Sequence, residues 1–180
     1  MARTVASGER VAIVRPRMSD RNEFLAAVSR SSSLLEPWVY APSTPTQWSA
    51  YVRRMRAPDS RAFHLRRHGD GALVGVINLN TIILGGLRQA FVGYYGFLPY
   101  AGSGFMTEGL GLVVAQAFGE IGLHRLEANI QPGNERSKAL ASRLGFQCEG
   151  FSPRYLQVGG AWRDHERWAI TSEEWPPASA

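Results

Sequence analysis

The stretch Ala101-Gly102-Ser103-Gly104-Phe105-Met106 joins an apolar, aromatic-rich segment to a long amphipathic one. Glycines let the backbone come close to a ligand, and the free N–H groups and positive end of a following helix favour an anion. The spacing therefore predicts a phosphate cradle made by Gly102, Ser103, Gly104, Phe105, Met106 and Thr107. It is neither of two common nucleotide loops. The dinucleotide fingerprint needs a third glycine where Thr107 stands, and an acidic residue closing a strand about 20 positions on. A P-loop needs Gly-Lys-Ser/Thr, which occurs nowhere in the chain.

The other chemistry-bearing residues set limits. His64, His68, His124 and His165 are dispersed, without His-x-x-x-His or His-Glu-x-x-His spacing, so no metal site is expected. No Gly-x-Ser-x-Gly elbow occurs, which removes the usual serine-hydrolase reading. Cys148 is the single cysteine, so no disulfide framework or thiolate cluster can form, and it reads as an ordinary half-buried thiol. Lys plus Arg number 20 against 15 Asp plus Glu, a net +5 with a pI near 9.9, which favours anionic partners. The runs Arg53-Arg54-Met55-Arg56 and Arg61 to His68 read as solvated faces, and direct nucleic-acid binding is not expected.

The elements that position the cradle follow from periodicity and punctuation. Val11 to Arg15 reads as a short strand, and Ser19 as the cap of a helix carrying Phe24, Leu25 and Val28 on one side. The proline-bounded segment Glu36 to Pro42 reads as a loop, followed by a helix from about Thr46 to Met55. Ala62 to Arg67 and Leu73 to Ile83 pair around the His68-Gly69-Asp70-Gly71 turn, and Gln89 to Phe97 is the next strand. A helix from Phe105 to Ile121 and a strand from Arg125 to Ile130 complete a βαβ crossover. Asn134 caps a helix that ends at Leu144, and strands Phe146 to Val158 and Ala161 to Thr171 meet at Gly159-Gly160. The fold class is α/β, with a mixed, mostly antiparallel sheet. Its 180 residues, 44% of them hydrophobic, suit one domain over 1–180 with a core of about 11–175. The tail Pro176-Pro177-Ala178-Ser179-Ala180 is too polar and stiff to pack much. No run of about 18 apolar residues and no leader-like N-terminus is seen, so no membrane partner is expected and the cytoplasm is the expected location.

In that order of elements several stretches recur together: Leu35-Glu36-Pro37-Trp38, His124-Arg125-Leu126-Glu127-Ala128-Asn129, Asn134-Glu135-Arg136-Ser137, Leu144-Gly145-Phe146 with Glu149-Gly150, and Tyr155-Leu156 followed by Trp162-Arg163-Asp164-His165. With the cradle, they resemble the GNAT acetyltransferases, and within these the RimJ/RimL group, over about Val11 to Trp175. The resemblance implies the GNAT fold, acetyl-CoA as cofactor, and transfer of acetyl to the α-amino group of a protein N-terminus, best an alanine-starting ribosomal protein. It leaves monomer and homodimer open. One departure stands out. The family's pyrophosphate loop usually begins with Arg or Gln, where this chain has Ala101, and Lys138 or Arg143 on the neighbouring helix are the candidates to supply the lost charge.

The same resemblance assigns roles. Backbone N–H groups of Phe97 and Leu98 polarise the thioester carbonyl. Asn129, Asn134 and Lys138 contact the cofactor, and the Ser137 hydroxyl protonates the departing thiolate. The base is open between Glu108, Glu127 and Tyr155, each acting through water; Glu108 also reads as a dipole partner of its own helix. An α-amino group titrates near 8, so about a tenth is neutral at pH 7 and a strong base is not required. Trp38, Tyr40, Trp162 and Asp164 fall where acceptors are recognised, although Trp38 and Trp162 also read as core or loop anchors. Two further functions stay open: acetylation of a small amine, such as a polyamine, amino sugar or antibiotic, and a non-catalytic ribosome-assembly or RNA-binding role.

Overall fold

Val11-Ala12-Ile13-Val14 is apolar at every position, and in the computed structural model, which describes residues 4–175, all four are buried. They form β2, within an eight-stranded sheet of β1 (Thr4–Ser7), β2 (Val11–Val14), β3 (Arg61–Arg67), β4 (Leu73–Ile83), β5 (Gln89–Gly96), β6 (Arg125–Ile130), β7 (Gln147–Val158) and β8 (Ala161–Thr171). The spatial order is β1-β2-β3-β4-β5-β6-β8-β7. Every neighbouring pair is antiparallel except β5 with β6, which the crossover helix makes parallel. The β1 strand was not foreseen: Thr4–Ser7 is short and only partly buried, so periodicity carries little there.

Helices cover both faces. On one side lie α4 (Phe105–Phe118) and α5 (Glu135–Arg143), whose Leu110, Val113, Val114, Leu140 and Ala141 join Ile13, Leu65, Val92, Leu126 and Ile170 in the larger core. On the other lie α1 (Arg21–Arg30) and α3 (Pro45–Arg54), with the single turn α2 (Ser32–Leu35) between them. Phe24, Trp48, Tyr51 and Val52 of α1 and α3 pack on Ala62, Val76 and Phe97. Helix α3 starts as its sequence dictates: Thr44 Oγ1 accepts the Gln47 N–H at 3.2 Å and Pro45 occupies the first turn. Helix α1 starts differently from the expectation. Ser19 lies inside a 3-10 turn, Met18–Asp20, and the Asp20 carboxylate accepts the Arg17 N–H at 2.9 Å. Helix α4 ends at Phe118 rather than Ile121, because Gly119 caps it.

Helix α4 sits unusually close to the sheet. Gly75 of β4 and Gly96 of β5 face each other, and a Cβ on Gly75 would lie 2.2 Å from Met106 Sδ. The absent side chains make room for Met106 and lock the first turn of α4 over the β4–β5 pair. No helix among the described residues is long and apolar enough to cross a membrane. The tail Pro176–Ala180 lies outside the described residues.

Candidate active site

The parallel pairing of β5 with β6 lasts only from Gln89↔Arg125 to Phe91↔Glu127. Beyond that the strands part, and Val92 to Gly96 faces a gap opposite Ala128 to Ile130. The gap widens into a cleft of about 1640 Å³ that runs from the Ala101–Glu108 loop to the start of α5. Because it opens between strands, it can be entered from both faces of the sheet.

At one end is the predicted cradle. Gly104 caps α4 with φ of 81°, a conformation that favours glycine, and Gly102 has φ of 85°. The N–H groups of Gly102, Gly104, Phe105 and Met106 find no acceptor among the described residues, whereas that of Ser103 is donated to Tyr100 O at 3.3 Å. A cation stands beside this turn although Ala101 carries none. Arg10, in the β1–β2 turn, lays its guanidinium 5.2 Å over the Phe105 ring and donates Nη1–H to Ser103 O at 3.1 Å. Glu108 holds it there, accepting Arg10 Nε–H at 3.0 Å and the Arg10 and Val11 backbone N–H groups at 2.7 and 3.2 Å. Burial raises the carboxyl's pKa, but these hydrogen bonds and the Arg10 charge outweigh it and leave Glu108 below the usual range. Glu108 is therefore a clamp on Arg10, which corrects its reading as a base. Lys138 is also corrected: its Nζ is 2.9 Å from Glu135 and 3.5 Å from Glu166, so its charge is taken and it does not line the cleft. Arg143 does line it, with Nη1 3.5 Å from Thr107 Oγ1.

The opposite wall is built by β6 and α5. Asn134 Oδ1 accepts the Ser137 N–H at 3.2 Å and caps α5. The Tyr94 hydroxyl donates to Ser137 O at 2.9 Å, fixing that turn against β5. Ser137 lines the cleft, and its Oγ makes no hydrogen bond among the described residues. Asn129 Oδ1 is buried without a partner, an acceptor waiting for a donor inside the gap. These orphaned groups fit a ligand with an anionic head and amide donors along its arm, which is the chemistry of coenzyme A.

The two N–H groups expected to polarise a carbonyl are both engaged within the protein. Phe97 N–H is spent on Val74 O at 2.9 Å, and Leu98 N–H on Ser31 Oγ at 2.9 Å. Alternation along an antiparallel strand turns the Gly96 N–H the other way, into the gap. Sequence spacing fixed the strand end but not which N–H groups its β4 neighbour consumes.

Two of the base candidates lie outside the cleft. Glu127 is 2.8 Å from Arg125 Nε, and Arg125 also grips Glu149 through Nη1 at 2.9 Å, so all three form a network on the closed part of the sheet. Tyr155 stands behind the wall, its ring meeting His165 edge-on with centroids 6.3 Å apart. The residue of that hairpin which does line the cleft is His165, only 3% exposed. Its Nδ1 is 2.9 Å from Arg163 O, and burial, partly offset by that bond and by Asp164, lowers its pKa. Sequence reasoning passed over it because no metal-type spacing drew attention to it; its place in Trp162-Arg163-Asp164-His165 was the available cue.

Beyond His165 the cleft meets a smaller pocket of about 290 Å³ lined by Trp38, Gln131, Gly133, Trp162 and Asp164, among others. Trp38 packs near Gly133 and lines both spaces. Trp162 is 62% exposed, so it is a rim residue and not a core anchor. Asp164 Oδ1 accepts the Arg154 N–H at 2.7 Å and holds a bulge in β7. Tyr40 is exposed and lies against Gly159 in the β7–β8 turn, outside both pockets. Cys148 is exposed rather than half-buried. Among the described residues no group of His, Cys, Asp and Glu is placed to hold a metal ion.

A profile of the Acetyltransferase (GNAT) domain matches residues 10–147. The chain is 36% identical over 124 residues to YjcK of Bacillus subtilis (strain 168), described as a probable N-acetyltransferase, covering 69% of this chain and 68% of that protein. It is 35% identical over 105 residues to the [ribosomal protein uS5]-alanine N-acetyltransferase of Escherichia coli (strain K12), covering 58% of this chain and about half, 54%, of that enzyme. Among solved structures, RimJ of Mycobacterium smegmatis in complex with CoA-disulfide superposes with a TM-score of 0.86 at 32% identity, over 93% of this chain and 85% of that one. With the splayed β5–β6 pair and the glycine cradle in place, the chain belongs to the GNAT acetyltransferase family and is an N-acetyltransferase of the RimJ/RimL type.

Proposed function

We propose that this chain moves acetyl from acetyl-CoA to the α-amino group of a protein N-terminus, best an alanine-starting ribosomal protein in the cytoplasm, by direct attack in a ternary complex. One observation carries the reading: the gap between β5 and β6 passes through the sheet, with Ser137 on the α5 side and the aromatic mouth of Trp38 and Trp162 at its other end. Two reactants can then meet inside without displacing one another. The uS5-alanine specificity of the Escherichia coli relative supports the choice of acceptor.

Bound acetyl-CoA supplies a thioester whose carbonyl carbon accepts an amine. Gly102, Gly104, Phe105 and Met106 offer N–H groups to its pyrophosphate, and Arg10 adds the cation that Ala101 lacks. Asn129 Oδ1 and Asn134 hold the pantetheine arm, Gly96 N–H donates to the carbonyl oxygen as negative charge develops there, and Ser137 Oγ–H donates to the sulfur as it leaves. Trp38 and Trp162 wall the acceptor's first residues.

The test is thiol release from acetyl-CoA with an alanine-starting peptide, the same peptide blocked at its N-terminus, and a panel of small amines. Turnover on the free peptide alone is expected. Turnover only on small amines moves the function to small-amine acetylation, and coenzyme A binding with no turnover on any acceptor overturns the catalytic reading.

A further inference from the structure

Strand alternation sorts the cleft into two sides. Leu126, Ala128 and Ile130 of β6, and Trp168 and Ile170 of β8, face α4 and α5. Asn129, one residue out of step, faces the other way. β8 runs in unbroken register with β6 from Arg125↔Thr171 to Ile130↔Glu166, so His165, the next residue, shares the side of Asn129. That is the face α1 and α3 cover, opposite the α5 turn that carries Ser137.

Of the carboxylates and imidazoles that line the cleft, one is left to act as a base. Glu108 is clamped to Arg10, Glu135 is exposed and paired with Lys138, and Glu9 is exposed in the β1–β2 turn beside the cradle. The Tyr94 hydroxyl is donated to Ser137 O, and burial pushes the phenol of Tyr95 well up. His165 lines the cleft and keeps a free basic atom. A carbonyl oxygen only accepts, so the 2.9 Å contact with Arg163 O puts the proton on Nδ1 and leaves a lone pair on Nε2. Nε2 makes no hydrogen bond among the described residues, and the residue lines the cleft. Tyr155 backs the ring from outside the cleft, and Asp164 and Arg163 flank it in sequence without occupying Nε2.

We propose that His165 is the general base of this enzyme, its Nε2 taking the proton from the acceptor amine. As the C–N bond forms, one proton passes from the amine nitrogen to Nε2 and is then released to water. The C–S bond breaks, and the sulfur takes its proton from Ser137 Oγ, which is refilled from water. Two groups on opposite sides of the gap thus divide the two proton transfers. The assignment rests on the active-site reading above, but it holds for any amine acceptor.

Two measurements test it. Histidine ring-nitrogen NMR on the wild-type protein without ligands is expected to show His165 protonated at Nδ1 and bare at Nε2 at pH 7, with a titration below that of an unstructured histidine. The opposite tautomer overturns the assignment. His165→Gln is then assayed on whichever amine the wild type turns over: kcat is expected to fall by about 100-fold or more, with exogenous imidazole restoring part of His165→Ala activity. Coenzyme A affinity, measured calorimetrically, is expected to stay unchanged in both variants. A variant that binds coenzyme A normally and keeps wild-type kcat overturns the proposal. Wild-type turnover on small amines but not on the peptide overturns the N-terminal acceptor and leaves the His165 comparison intact.

Discussion

Glu108 closes on Arg10 from 98 residues away, one carboxylate oxygen taking the Arg10 backbone N–H at 2.7 Å and the other its Nε–H at 3.0 Å. The pair ties the β1–β2 turn to the first turn of α4 and fixes a guanidinium over the Phe105 ring, beside the glycine turn.

Arg10→Ala is therefore expected to weaken coenzyme A binding. A charge-assisted contact at a half-exposed arginine is worth about 1 kcal/mol, or roughly fivefold in Kd. Calorimetric titration at low and at high salt checks this, since the difference between wild type and variant is expected to shrink as salt screens the charge. Glu108→Gln is expected to weaken binding as well, through Arg10, and to lower stability because the backbone donors of Arg10 and Val11 lose their shared acceptor.

Ser137→Ala removes the hydroxyl but keeps the capped turn, because the cap is made by Asn134 Oδ1 and the Ser137 N–H. A fall in kcat of about 100-fold with little change in coenzyme A affinity is expected, the low end for a proton donor. Equal loss of binding and turnover would show instead that Ser137 only shapes the pocket.

Stability is expected to fall as pH drops below about 6.5, the ordinary histidine range, because of His64. This ring is fully buried against Phe24 and Trp48, and burial, with a smaller contribution from the Arg66 charge, pushes its pKa down to about 3. Asp20 lies 3.9 Å from Nδ1, near enough to pair with a charged ring, but burial dominates and the ring is neutral. Between the two pKa values the unfolded chain binds the extra proton, so unfolding free energy drops by about 1.4 kcal/mol per pH unit on acidification. Denaturant titrations at several pH values check this against His64→Leu, in which that component is absent.

Trp162→Ala is expected to raise KM for a peptide acceptor while leaving kcat, coenzyme A affinity and melting temperature near wild type. The side chain is 62% exposed on the rim of the smaller pocket, so its removal opens no cavity. An unchanged KM for every acceptor tested would take Trp162 out of the recognition surface.

The glycine turn before α4 was legible in the sequence because its geometry is local. Gly102 and Gly104 adopt left-handed conformations within one turn, and the helix that follows is continuous in the chain. Asn134 and Ser137 were legible for the same reason, being three residues apart on one helical turn. That the Phe97 and Leu98 N–H groups are engaged was not legible, because it depends on Val74 and Ser31, which belong to other elements. Cys148 was placed too deep because β7 is the sheet edge, and Trp162 because it lies at the start of β8, beyond the stretch that β6 pairs; both positions are set by topology rather than by composition.

By itself the sequence determined the α/β class, the run of strands and helices, the glycine turn before α4 and the capped helix beside it, since each depends on residues within one or two turns of chain. The tertiary structure alone decided that β8, not β7, lies beside β6, which carries His165 to the cleft and leaves Tyr155 behind it. It also decided that Arg10 stands beside the glycine turn where Ala101 carries no charge, and that Glu127 is absorbed by Arg125. Hydrogen-bond partners and charge pairs across long separations follow from how the sheet closes, and that closure is a property of all the packed elements together.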